Sequence, residues 1–91
     1  MTQVFIFNGT NAQFPSAVFS DYVLAEQWIK KHALTGLLTA YPLNTAVYDW
    51  ALDSGYFQVK EKYQAEPSFI AKFSSAYLEH WHFENGMVEN S

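Results

Sequence analysis

The chain has no cysteine and no arginine among its 91 residues, and it holds only three prolines and four glycines. Without cysteine it can form neither disulfides nor thiolate sites, a composition that suits a reducing compartment. Its first residues lack the basic segment of a signal peptide, and no apolar run approaches the roughly 20 residues that cross a bilayer. We therefore expect a cytoplasmic protein that does not enter membranes.

Positive charge is also scarce, because nine acidic residues outnumber five lysines and give a net charge of −4. An acidic chain repels the phosphates of nucleic acids and of anionic lipids, and arginine, the side chain best suited to phosphate, is missing. We therefore expect neither nucleic acid nor a membrane as a partner. If the chain binds a macromolecule, a basic protein is its natural complement.

Aromatic rings, by contrast, are abundant: three tryptophans, six tyrosines and eight phenylalanines make up 19% of the residues. A chain of this size forms one small domain that buries about 64% of its unfolded surface, so some of these rings must stay exposed. We expect a single globular domain over residues 1–91. Residues 87–91 follow Asn85 and Gly86 and are predicted to be a frayed tail.

Short apolar or alternating runs predict five extended segments, at residues 4–7, 15–19, 37–41, 69–73 and 77–84. A turn cluster over residues 8–11 separates the first two segments. The most polar stretch, residues 58–67, is the expected exposed loop. Over residues 74–82 a helix capped by the serine pair at its start is an alternative to the strand.

Two helices are predicted between the strands. Helical spacing of apolar residues gives the first helix a buried face of Leu24, Ala25, Trp28, Ile29 and His32, and the second a face of Val47, Trp50 and Ala51. The expected capping residues are Ser20 or Asp21 and Gly36 for the first helix, and Asn44 or Thr45 and Gly55 for the second. The resulting order, β-β-α-β-α-β-β, predicts an α+β two-layer sandwich of a small antiparallel or mixed sheet with two helices.

The last predicted strand carries candidate metal ligands. On a strand, His80, His82 and Glu84 fall on one face at intervals of roughly 7 Å, and two imidazoles with a carboxylate suit Zn²⁺ or Fe²⁺. His32, the remaining histidine, would have to arrive from the first helix. The alternative is a polar sheet face that is solvated or hydrogen-bonded. We favour that alternative and expect no bound metal or cofactor.

Catalytic patterns are weaker still. A catalytic triad could be drawn from His80, Asp49 and one of Ser54, Ser74 or Ser75. The chain nevertheless lacks the Gly-X-Ser-X-Gly elbow that presents a catalytic serine. It also lacks a Walker loop and a dinucleotide-binding glycine motif. We predict no catalytic residues and therefore not an enzyme.

An acidic and aromatic surface is the best candidate for binding. Aromatic anchors carry much of the energy of protein interfaces, and carboxylates accelerate the encounter with a basic partner. The predicted partner-binding residues flank the second helix and the acidic end of the chain: Tyr48, Asp49, Asp53, Tyr56, Phe57, Trp81 and Glu84. Simple core packing is the alternative for these rings, and it is the expectation for Trp28 and Trp50.

A resemblance to a known family is carried by seven strings: VFIFNG from Val4, FPSAVF from Phe14, AEQWI from Ala25, LTAYP from Leu38, YDWA from Tyr48, GYF from Gly55 and EHWHFENG from Glu79. From residue 4 to residue 86 the chain resembles a family of small, uncharacterised bacterial proteins, a domain of unknown function. The resemblance implies a stand-alone bacterial domain and supplies no site residues. In size and acidity alone, the chain is similar to immunity proteins of bacterial toxin systems.

Three functional hypotheses follow. The leading one is a protein-binding module, most concretely an immunity-type inhibitor that neutralises a bacterial toxin by binding it. The second is a metal-binding protein or metal-dependent enzyme that uses His80, His82 and Glu84. The third is a homo-oligomeric structural protein, such as a homodimer joined at a sheet edge or an aromatic patch.

Overall fold

A five-stranded antiparallel sheet is the framework of the protein, whose computed structural model describes residues 2–89. The elements in chain order are β1 (Gln3–Gly9), β2 (Ala17–Phe19), α1 (Tyr22–Lys31), β3 (Gly36–Pro42), α2 (Val47–Ser54), a 3₁₀ turn (Lys62–Ala65), α3 (Pro67–Ala71), β4 (His80–Glu84) and β5 (Met87–Val88). The strands lie side by side in the order β2-β1-β3-β4-β5, and each neighbouring pair is antiparallel. This α+β architecture confirms the predicted fold class.

The two faces of the sheet have different surroundings. In the register of the central strands, Phe7 lies opposite Leu38 on one face, and Ile6 lies opposite Thr39 on the other. Helix α1 covers the first face, which we call the helix face: Phe7 and Leu38 pack there with Ala25, Ile29 and Phe83. The second face, which we call the open face, is defined by Val4, Ile6, Val18, Leu37, Thr39, Tyr41, His80 and His82.

The core lies between α1 and the helix face. Phe7, Ile29 and Leu38 are its largest fully buried side chains, and each contributes about 1.5–3 kcal/mol through the apolar surface that it removes from water. At one margin Tyr22 packs its ring 4.8 Å from that of Trp81. Burial raises the pKa of Tyr22, and the charge of Glu26, which accepts the tyrosine hydrogen bond, raises it further.

The start of α1 is encoded locally, as predicted. The carboxylate of Asp21 accepts a hydrogen bond from the backbone N–H of Val23 at 2.7 Å, which satisfies a donor that the helix itself leaves unpaired. Ala25 and Ile29 are fully buried. The predicted buried face is wrong at Leu24, which is 53% exposed, and at His32, which is also exposed.

Gly36 does not stop α1, because it lies in β3 opposite Phe83. A Cβ added at this position would stand 2.8 Å from both the Cα of Gly9 and the Cζ of Phe7. Residue 36 must therefore be glycine for β1 and the Phe7 ring to come this close. The chain leaves α1 through the C-cap His32 and through Ala33, which has a positive φ of 52°.

Helix α2 ends as predicted and begins differently. Gly55 closes it in the left-handed conformation with φ 79°. The residue before its first turn is Ala46, rather than Asn44 or Thr45, and its methyl side chain cannot accept a capping hydrogen bond. The buried residues of α2 are Tyr48 and Ala51, whereas Trp50 is only half-buried.

The predicted strand over residues 69–73 is wrong, because this region contains the end of α3. Pro67 occupies the first turn of α3, where its fixed φ suits a helix and its missing N–H costs nothing. Phe69 lies in α3 and Phe73 lies two residues beyond its end. Their i, i+4 spacing occurs on one face of a helix as well as on one face of a strand. The predicted loop over residues 58–67 contains the 3₁₀ turn.

At the C-terminal end, β4 begins at His80, so residues 74–82 do not form a helix. Trp81 and Phe83 face the helix side of the sheet, and His80 and His82 face the other side. Met87 and Val88 form β5 where the sequence predicts a frayed tail. Residues 90 and 91 of that tail lie outside the described residues. Within residues 2–89, no helix is long and apolar enough to cross a membrane.

Candidate functional site

A second set of packed rings joins α2 to α3, and we call it the inner aromatic cluster: Tyr48, Phe57, Tyr63, Phe69 and Phe73. Ring centroids lie 4.8 Å apart between Phe57 and Phe73 and 5.4 Å apart between Tyr48 and Phe73. The hydroxyl of Tyr48 donates a hydrogen bond to the backbone oxygen of Gln64 at 2.8 Å. The cluster thus fixes the segment from α2 to α3 as one packed unit.

Three further rings form a row on the surface, and we call them the outer aromatic group: Trp50, Tyr56 and Tyr77. Tyr56 and Tyr77 stack with their centroids 4.3 Å apart and their planes only 7° from parallel. The ring of Trp50 lies 5.3 Å from that of Tyr56. Although they are stacked, Tyr56 remains 47% exposed and Tyr77 67% exposed. The group therefore presents a rigid aromatic surface to solvent.

Two carboxylates accompany this group on α2. Asp49 and Asp53 are both exposed and are spaced i, i+4, so they share one side of the helix. Trp50 stands three residues before Asp53, a spacing that makes these two side chains neighbours on the surface of α2. The chain has no lysine between Lys31 and Lys60, so no basic residue of α2 offsets these charges.

The predicted binding residues near α2 thus divide between two environments. Asp49, Asp53 and Tyr56 are exposed, whereas Tyr48 is 8% exposed and Phe57 is half-buried in the inner aromatic cluster. Sequence reasoning missed Tyr77, which lies 21 positions after Tyr56 and reaches it only through the tertiary fold. Trp50 was expected in the core, yet its ring packs against exposed Tyr56.

The other two predicted binding residues lie elsewhere. Trp81 is half-buried on the helix face, where its ring packs against Phe5 and Tyr22. Glu84 is exposed at the end of β4, opposite Met87 of β5. The structure therefore assigns Trp81 to the margin of the main core and does not place it in the outer aromatic group.

The two histidines of β4 lie together on the open face. Their ring centroids are 5.4 Å apart, and the Nδ1 atom of His80 is 2.7 Å from the backbone oxygen of Leu78. Beside them is a cleft of about 400 Å³, bordered by Thr39, Tyr41 and the loop of residues 74–76. His32 is on the other side of the sheet, where its ring packs 5.8 Å from Trp28 of α1. It therefore does not join the pair.

Within residues 2–89, the structure gathers neither a three-ligand metal set nor an acidic hydrogen-bond partner for the Nδ1 of His80, although Ser74, Ser75 and His80 border one cleft. Among residues 2–89, no three His, Cys, Asp or Glu side chains are gathered closely enough to hold a metal ion, so Glu84 does not complete a three-ligand set. In a serine triad an acidic residue holds the Nδ1–H of the histidine. Here the Nδ1 of His80 meets the carbonyl of Leu78, and the Oγ of Ser75 accepts the N–H of Tyr77.

Fold and site together define a small α+β domain with an acidic aromatic surface beside its second helix. The chain belongs to the family described as domain of unknown function DUF7710, whose family model matches residues 4–89. This confirms the resemblance to a small domain of unknown function. Comparison with curated proteins and with solved structures gives no significant match.

Proposed function

We propose that this domain is a small acidic protein-binding module that recognises a basic protein through the outer aromatic group and the two aspartates of α2. One observation carries the proposal. Tyr56 and Tyr77 stack on each other at 4.3 Å, yet they keep 47% and 67% of their surface exposed. Each ring is thus held in place by the other, and neither is buried in the core.

Such a surface suits a binding site for physical reasons. Exposed rings that are already fixed lose little conformational entropy when a partner covers them, and they offer a large contact area. A lysine or arginine placed over a tyrosine or tryptophan ring gains roughly 0.5–2 kcal/mol from the ring quadrupole. Asp49 and Asp53 add charge complementarity to the same cation. A basic side chain is therefore the ligand that this surface fits best.

The concrete form that we propose is an immunity-type inhibitor in the cytoplasm, which neutralises a bacterial toxin by occupying a basic surface of it. The small size, the net charge of −4 and the absence of cysteine support this form. Inhibition by occupancy needs no catalytic group on this chain. It needs only a rigid, complementary surface, and the outer aromatic group with its two aspartates offers one.

The test uses a toxin domain encoded beside the gene for this protein as the partner, with binding measured by calorimetry. Replacing Tyr77 by Ala should weaken binding at least about tenfold, because it removes an exposed anchor and frees its stacking partner. Phe14→Ala is the matched control, since Phe14 is an equally exposed ring, at 70%, in the connection between β1 and β2. Equal losses in the two variants, or no binding by the unaltered protein, would contradict the proposal.

A further inference from the structure

The histidine pair on β4 is a feature that the proposed function does not use. His80 and His82 are two positions apart on one strand, so they project from the same face of the sheet, and both are exposed. Their partners across the ladder, Thr39 and Leu37, carry no charge. The two imidazoles are therefore neighbours on the open face. Charged residues lie on the other side of β4, where Glu89 donates its backbone N–H to the oxygen of His82 at 2.7 Å and borders one cleft together with His82 and Glu84.

The hydrogen bond of His80 determines which of its nitrogens is free. A backbone carbonyl can only accept, so the Nδ1 atom that lies 2.7 Å from the Leu78 oxygen carries the proton. In the neutral ring the lone pair is then on Nε2. Histidines that bind metals commonly donate one N–H to a carbonyl and bind the metal through the other nitrogen, and the bond to Leu78 fixes His80 in that tautomer.

The spacing of the rings also fits a shared ion. With metal–nitrogen distances of about 2.0–2.1 Å, two imidazoles at a tetrahedral angle place their ring centres about 5.2 Å apart. The observed separation of the two centroids is 5.4 Å. The separation of the two ring centres therefore matches that of two imidazoles bound to one ion.

We infer that His80 and His82 form a two-imidazole chelate for a divalent first-row transition ion, with Cu²⁺ bound more tightly than Ni²⁺ or Zn²⁺. Imidazole nitrogens favour these ions, and their order of affinity follows from the general stability series. The other coordination positions belong to water or to a ligand in the adjoining cleft of about 400 Å³, whose border includes the hydroxyl-bearing Thr39 and Tyr41. Glu84 is not a ligand of this site.

The chain provides its own matched control, because it has three histidines and the third, His32, lies on the opposite side of the sheet against Trp28. Titration of the untagged protein with Cu²⁺, Ni²⁺ and Zn²⁺ salts, each alone in a non-coordinating buffer, should show one ion per chain. H80N and H82N should each weaken metal binding at least about tenfold. Each variant leaves only one imidazole to hold the ion, so the affinity gained from a second ligand on the same chain is lost. H32N should bind as the unaltered protein does.

Two further measurements make the result decisive. Both histidines are exposed, so thermal unfolding without metal should be unchanged in H82N, and H80N should lose at most the contribution of its hydrogen bond to Leu78. This comparison distinguishes the loss of a metal ligand from the loss of the fold. In nitrogen-detected imidazole spectra, Zn²⁺ should shift the Nε2 signal of His80 and leave its Nδ1 proton in place. Equal affinity of H82N and the unaltered protein, or metal shifts confined to His32, would overturn the inference. Affinity should also fall on acidification, because protons compete for the same nitrogen.

Discussion

The inner aromatic cluster and the outer aromatic group are built from neighbouring residues and differ in exposure: every inner ring except that of Tyr63 is buried or half-buried, whereas Tyr56 and Tyr77 of the outer group are exposed. Tyr48 and Trp50 lie on the same helix, and Tyr56 and Phe57 are consecutive, yet one of each pair packs inward and the other faces solvent. The inner rings meet mostly edge-on or tilted, with one hydroxyl bonded to Gln64. The outer tyrosines are stacked almost parallel. The inner rings thus pack α2 against α3, and the outer tyrosines stay exposed to solvent.

This comparison makes the two sets separable by experiment. Deleting an inner ring should lower stability first, whereas deleting an outer ring should lower binding first. Four experiments on this region follow, in order of the expected change in the free energy of unfolding.

The largest effect is expected for Phe73→Ala. Phe73 packs against Tyr48, Phe57 and Phe69, so its removal leaves a cavity between α2 and α3 and should cost about 3 kcal/mol. Urea unfolding measures the loss as a lower midpoint. The matched change in the outer group, Tyr77→Ala, should cost less than about 1 kcal/mol, since Tyr77 is 67% exposed. Equal losses would break the distinction between the two sets.

A smaller effect is expected at the turn that separates Tyr56 and Phe57 from α2. Gly55 has φ 79°, and a Cβ added there would meet no heavy atom of residues 2–89 within 4 Å apart from its chain neighbours, so only backbone strain opposes a side chain. Gly55→Ala should therefore cost about 1–2 kcal/mol. Gly55→Asn is the control, because asparagine tolerates the left-handed conformation, and thermal unfolding should show a clearly smaller loss. Equal unfolding temperatures for Gly55→Ala and Gly55→Asn would contradict the explanation by backbone strain.

The hydroxyl of Tyr48 provides a third test. Tyr48→Phe keeps the ring and removes the hydrogen bond to the backbone oxygen of Gln64, which should cost about 1 kcal/mol. Tyr56→Phe is the parallel change in the outer group, where the ring is 47% exposed, and it should leave the free energy of unfolding unchanged. Chemical denaturation of both variants under one set of conditions gives the comparison. A larger loss of unfolding free energy for Tyr56→Phe than for Tyr48→Phe would contradict the prediction.

The smallest effect on stability, and one of opposite sign, is expected for Asp53→Asn. Asp53 is near the C-terminal end of α2, where the helix dipole disfavours a negative charge, and it also repels Asp49 one turn earlier. Neutralising it should stabilise the protein by about 0.3–0.5 kcal/mol at low salt. The gain should vanish at high ionic strength. Binding to a basic partner should slow at the same time, because part of the steering charge is lost.

Much of the fold is predictable because it is encoded by local chemistry. Asp21 caps α1 through its own carboxylate, and Gly55 ends α2 because other residues resist a positive φ. Strand β1 and strand β3 follow directly from their apolar patterns. The segment at residues 69–73 was assigned incorrectly because alternate apolar residues at 69, 71 and 73 also satisfy the i, i+4 spacing of a helix.

The candidate site was predicted only in part. The exposed aspartates and Tyr56 follow from their place on and after α2. Tyr77 could not be found in the same way, because its contact with Tyr56 crosses 21 residues of chain and the whole of α3. For the same reason no pattern could separate buried Tyr48 and half-buried Phe57 from the exposed residues beside them.

By itself the sequence determined the class of fold, the cap of α1, the stop of α2, the acidic charge and the abundance of rings. Each of these depends on residue type or on contacts a few positions apart. Only the tertiary structure decided which rings are buried, which glycine allows β1 and β3 to approach, and which histidines meet. Those outcomes depend on what the fold brings against each side chain, and α1 can cover just one face of the sheet. The same strands therefore hold a core on one face and a pair of imidazoles on the other.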